Sequence, residues 1–79
     1  MFQMTVESAI KINNTVSFGG SCENQHEFKN RLVDEFGNVY EVYIPLDKKL
    51  VFDDSHITLC LKGTADIDFL KGRVLKGVS

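Results

Sequence analysis

Apolar and polar residues alternate along most of this chain with a period of two. Phe2, Met4 and Val6 alternate with Gln3, Thr5 and Glu7, the signature of a half-buried strand. Ser8 and Ala9 interrupt the pattern. Ile10 and Ile12 restore it with Lys11 outward, which predicts a bend or bulge near Ser8. Asn13-Asn14 is a turn, because Asn tolerates left-handed backbone. Residues 15–18 resume as a strand with Val16 and Phe18 on one side. Gly19-Gly20 predicts a sharp bend or bulge. Residues 21–25 are polar and read as a strand end leading into a loop.

Residues 27–33 alternate less regularly, with Phe28 and Leu32 on one face and Lys29, Arg31 and Val33 on the other. Gly37-Asn38 between two strand-like runs signals a hairpin. Residues 39–46 carry the cleanest alternation, with Tyr40, Val42, Ile44 and Leu46 opposite Val39, Glu41 and Tyr43. Pro45 marks an edge or a departure from the sheet. Residues 47–49 read as a turn, 50–52 as a short apolar segment and 53–56 as a loop. Ile57, Leu59 and Leu61 then oppose Thr58, Cys60 and Lys62, and Gly63 ends the strand. Residues 64–70 form a single turn, Gly72 reverses the backbone, and residues 73–78 close the chain as a strand. No segment sustains a 3.6-residue apolar period. Short strands at regular turn spacing predict an all-β fold, a small closed barrel of six or seven strands.

At 79 residues the chain has room for one domain, residues 1–79. A chain this short buries about 60–65% of its unfolded surface, so its core is small. With no Trp, six Phe and two Tyr carry much of the core volume. The net charge of −2 gives no general drive toward nucleic acid or anionic membrane. Its distribution is uneven. Lys62, Lys71, Arg73 and Lys76 face only Asp66 and Asp68 after residue 61, a mildly positive end on an acidic body. Cys22 and Cys60 lie 38 positions apart, which is no metal-ligand spacing. With no signal peptide read before them, free thiols in a reducing, cytoplasmic setting are expected. No run approaches the roughly 20 apolar residues of a membrane span.

Two stretches resemble a known family. The opening is Phe2-Gln3-Met4-Thr5-Val6-Glu7, then Ile10-Lys11-Ile12 and Thr15-Val16. The close is Ile57-Thr58-Leu59-Cys60-Leu61-Lys62-Gly63 with Asp68-Phe69-Leu70-Lys71-Gly72-Arg73-Val74-Leu75. Together they resemble the two ends of the second domain of elongation factor Tu and related translational GTPases. Residues 21–54 between them match only as generic β. The resemblance implies that domain's barrel, with Phe69 as an apolar peg capping one end. It also implies that Gly63 and Gly72 hold turns a Cβ would obstruct. Burial of Phe69 would then contribute about 2–3 kcal/mol. In that family the domain helps hold the aminoacylated end of tRNA, and in relatives it touches ribosomal RNA. The family's Glu-Asp-x-Phe run matches Glu7, Ser8 and Ile10 here, so the Glu is present and the Asp and Phe are replaced. Asn14 stands where the family usually has Gly. There is no phosphate-loop motif, and so no GTPase.

Residues with chemical potential have plain structural readings. Asp53, Asp54 and His56 sketch a D-D-x-H ligand set, but adjacent carboxylates on a loop are common and no third ligand type is placed. Cys60 sits mid-strand with no basic neighbour to activate it. No carboxylate pair is marked for acid–base work. The expectation is therefore no enzyme, no metal, no cofactor and no small-molecule substrate. Ile67, Leu70 and Leu75 are candidates for an apolar face outside the barrel, meeting a partner protein or a second copy of the chain. The alternative is an RNA- or ribosome-associated module. It would use Lys62, Lys71, Arg73 and Lys76 with Tyr43, in a region where Phe36, Tyr40, Lys29 and Arg31 interleave aromatic and basic side chains.

Overall fold

The two longest alternating runs pair with each other and set the frame for the rest. In a computed structural model, which describes residues 1–45 and 55–78, they are β1 (Gln3–Ile12) and β2 (Thr15–Glu23). The Asn13-Asn14 turn joins them with both residues at positive φ, 49° and 64°, as a two-residue hairpin requires. Four shorter strands follow: β3 (Arg31–Val33), β4 (Val39–Tyr43), β5 (His56–Leu61) and β6 (Val74–Gly77). A one-turn helix, α1 (Ile67–Leu70), precedes the last. The six strands are all antiparallel and hydrogen-bonded in the order β1-β2-β5-β4-β3-β6, with β6 returning to β1 to complete a ring. The fold is therefore all-β. Residues 46–54, which carry the end of the 39–46 run, the expected turn, the 50–52 segment and Asp53-Asp54, lie outside the described residues.

The ring's interior is filled by the inward half of most alternations. Phe2, Met4, Val6, Val16, Phe18, Leu32, Val42, Leu59, Leu70 and Leu75 are fully buried there. Past the register shift in β1, Ala9 is buried and Ile10 and Ile12, expected inward, are exposed. Phe28 packs edge-on against Phe2, ring centres 5.5 Å apart. It does so from the connection after a 3-10 turn at Gln25–Glu27, so the expected 27–33 strand shortens to β3.

The irregularity near Ser8 is a register shift between Val6 and Ser8 in β1. Gly19 and Gly20 lie within β2, paired with β1 on one side and β5 on the other, and the register shift of β1 falls opposite them. A Cβ on Gly20 would stand 1.8 Å from the Thr5 carbonyl oxygen. The glycine is there because the bulged backbone of β1 passes over it. Gly63 and Gly72 have open space where a Cβ would go, but sit at φ 113° and 86°. They are needed for backbone conformation, not for clearance.

The β3–β4 hairpin is held by a buried carboxylate. Asp34 Oδ1 accepts from the amides of Phe36 (2.8 Å) and Asn38 (2.9 Å). Oδ2 accepts from Asn38 Nδ2 (3.0 Å) and from the Tyr40 hydroxyl (2.9 Å). Burial works against the Asp34 charge, but these hydrogen bonds outweigh it and hold its pKa below the usual value. Burial, then the bond to Asp34, pushes the Tyr40 hydroxyl up to about 12. Asp34→Ala would leave the buried Tyr40 hydroxyl and three donors in part-buried bonds of the turn without their acceptor, so a loss of about 2–3 kcal/mol is expected in urea unfolding at pH 7. A depressed carboxylate pKa stabilises above its unfolded value, and that stabilisation is lost as pH falls through the folded one. The gap between wild type and variant should therefore narrow below pH 3.8.

Candidate functional site

Residues 66–73 decide what the ring shows at one end. Asp66 caps α1 by accepting from the amides of Asp68 (2.9 Å) and Phe69 (3.4 Å). Positions three apart on a helix share a face, so Ile67 and Leu70 turn together toward the core. Leu70 is fully buried and Ile67 half-buried against it. Leu75 is also fully buried, on the inward side of β6. The expected outer face of Ile67, Leu70 and Leu75 therefore does not exist, because two of its three members fill the interior. The peg is Leu70, and Phe69 is 40% exposed.

Phe69 takes part in a different arrangement. Its ring lies 5.8 Å from that of Phe36, which the β3–β4 turn holds out with 65% of its surface exposed. The Arg73 guanidinium sits over both rings, 5.3 Å from Phe36 and 5.1 Å from Phe69, each a cation–π contact. Arg73 is fixed by its main chain. Its amide donates to the Leu70 carbonyl (3.0 Å), and its carbonyl accepts from Val6 (2.9 Å). Glu35 Oε1 accepts from the Val74 amide at 3.0 Å and lies 4.0 Å from Arg73. Arg73 Nε is buried with no hydrogen-bond partner among the described residues. Two exposed rings are thus clamped in place by a cation, itself offset by a carboxylate. Phe36 and Phe69 lie about half the chain apart in sequence, so no local pattern announces the pair.

The five candidate RNA contacts do not converge. Lys71 and Arg73 lie before β6 begins, with Lys71 3.9 Å from Asp68. Lys76 projects outward from mid-β6, in register with Gln3 and Val33. Lys62 follows β5 at the other end of the ring, beside Glu41. Tyr43 lies on the outer face of β4 opposite Cys60, whose proximity raises the phenol pKa. Tyr40 is buried.

Of the D-D-x-H set only His56 is described. Its Nδ1 is 2.9 Å from Ser55 Oγ, and its Nε2 is 3.8 Å from Glu7. Cys22 and Cys60 form no disulfide. No helix among the described residues is long and apolar enough to cross a membrane. No family model, no curated protein and no solved structure matches the chain.

Proposed function

We propose that this chain is a non-catalytic protein-interaction module that self-associates through Phe36, Phe69 and Arg73. The observation that carries the reading is the pair of exposed aromatic rings in contact with each other and with the Arg73 guanidinium. Preordered aromatic and Arg side chains lose little entropy on binding and are enriched among the residues that dominate interfaces. The charges beside the rings are offset locally, Arg73 by Glu35 and Lys71 by Asp68. Two copies of the patch therefore meet without like-charge repulsion. A fold of the translation-factor second-domain type, a closed barrel, belongs to the same proposal. It rests on the framing motifs at residues 2–16 and 57–75, together with the six-strand ring. A reducing, cytoplasmic setting belongs to it too, supported by two unbridged cysteines.

The test is light scattering across a concentration series at low and high salt, with and without bulk RNA. The expected result is a dimer that persists in high salt, ignores RNA and is lost in Phe36→Ser/Phe69→Ser. That variant should keep its fold, since both rings are exposed. A dimer unchanged in the variant, or a monomer at every concentration, overturns the proposal. A monomer that gains mass with RNA only at low salt replaces it with the RNA-associated alternative, since phosphate contacts weaken steeply with salt.

A further inference from the structure

We propose that a groove at the end of the ring where β6 finishes binds a phosphate-bearing anion through Lys29, Arg31 and Lys62. This site is separate from the aromatic patch and does not depend on how that patch is used. The groove is lined by Lys29, Asn30, Arg31, Glu41, Lys62 and Val78. Its walls are assembled by main-chain bonds between segments distant in sequence. The Val42 amide donates to Asn30 (2.9 Å), the Lys62 amide to Glu41 (2.8 Å) and the Val78 amide to Arg31 (2.9 Å). Asn30 Nδ2 returns a bond to the Val42 carbonyl at 3.1 Å. Three cations therefore face one carboxylate, on a chain whose net charge is −2. A cleft with an excess of one sign of charge concentrates ions of the other.

The three cations differ in what already holds them. Arg31 contacts Glu41 at 3.3 Å, with both side chains more than half exposed. A single exposed contact of this kind is weak and exchanges readily. Lys29 and Lys62 have no ion pair among the described residues. Glu27, near Lys29, is taken by the Met1 amino group at 2.5 Å. The Lys29 stem lies against Gly77, close enough that a Cβ there would stand 3.0 Å from Lys29 Cγ. That contact gives the lysine a defined path toward the groove. Two ammonium groups with no ion pair among the described residues match a doubly charged oxyanion, with Arg31 able to trade Glu41 for a forked contact to it. A singly charged carboxylate leaves one ammonium unmatched.

The test is a nuclear magnetic resonance titration of the full chain with inorganic pyrophosphate, set against acetate at equal ionic strength. Saturable shifts are expected at the amides of residues 29–31, 41, 62 and 78, and none at Lys71 or Lys76. The Lys29→Gln/Lys62→Gln variant should bind at least about tenfold more weakly with its spectrum otherwise unchanged. Glu41→Gln, which frees Arg31, should bind more tightly. Shifts spread evenly over all lysines, or undiminished binding in the double variant, would overturn the site. Equal shifts with acetate would overturn its assignment to phosphate.

Discussion

Gly20→Ala is expected to leave the chain largely unfolded. The Cβ would fall 1.8 Å from the Thr5 carbonyl oxygen and 2.8 Å from the Glu7 amide nitrogen. Both are main-chain atoms, so no rotamer change relieves the clash. They belong to the bulged stretch of β1, where the register shifts between Val6 and Ser8. Relief requires β1 to lift away from β2, and β1 is also the strand on which β6 closes the ring. Overpacking of a well-filled interior costs about 1–3 kcal/mol where side chains can yield, and more is expected here. A chain of 79 residues has a total stability of roughly 4–12 kcal/mol. Circular dichroism with urea titration reads the result. Gly19→Ala is the milder comparison: its nearest atoms are the Ile57 main-chain oxygen at 2.9 Å, which a small shift relieves, and the movable Thr58 hydroxyl at 3.2 Å, against 1.8 Å at Gly20. It should be destabilised but folded. A Gly20→Ala protein with a native midpoint would show that the bulge does not press on this position.

Leu70→Ala is expected to cost about 2–5 kcal/mol, the range for emptying a fully buried leucine site. Phe69→Ala should cost about 1 kcal/mol or less, because it removes a partly exposed ring and one cation–π contact. The order is informative because a larger residue next door contributes less. Leu70 is fully buried and Phe69 is 40% exposed. Urea midpoints of the two variants, measured together, decide it. If Phe69→Ala were the more damaging change, Phe69 would be the plug of this end and the aromatic patch would lose its exposed member.

The strand content was legible because each strand buries one face, and a period of two records that directly. Residues 57–61 show it best, with Ile57, Leu59 and Leu61 buried as the alternation required. The Asn13-Asn14 turn was legible from residue type, and the β1 bulge from a break in the alternation. Gly19-Gly20 marks a bulge, but the extra residue lies in β1, opposite the glycines. A glycine required by another strand's backbone leaves the same mark in sequence as one required by its own. The apolar peg was misplaced by one residue for a related reason. In a single helical turn, the cap at Asp66 sets which of Phe69 and Leu70 turns inward, and hydrophobicity alone ranks the larger ring first.

The sequence by itself determined an all-β chain, its main turns and the core-facing half of the strands at residues 2–6, 39–43 and 57–61, but not of β1 beyond its bulge or of β6. Those are local matters, governed by alternation and by which residues tolerate left-handed backbone. Strand order and surface sites were decided only in three dimensions. Nothing local brings Phe36 against Phe69 and Arg73, or Lys29 and Lys62 into one groove. Each of those groupings joins residues from separate strands or turns of the ring. They meet because the pairing β5-β4-β3-β6 places the ends of distant segments side by side. Long-range pairing is set by the summed burial of the whole interior, not by any one stretch. For that reason the two surfaces proposed to bind were not visible until the ring was closed.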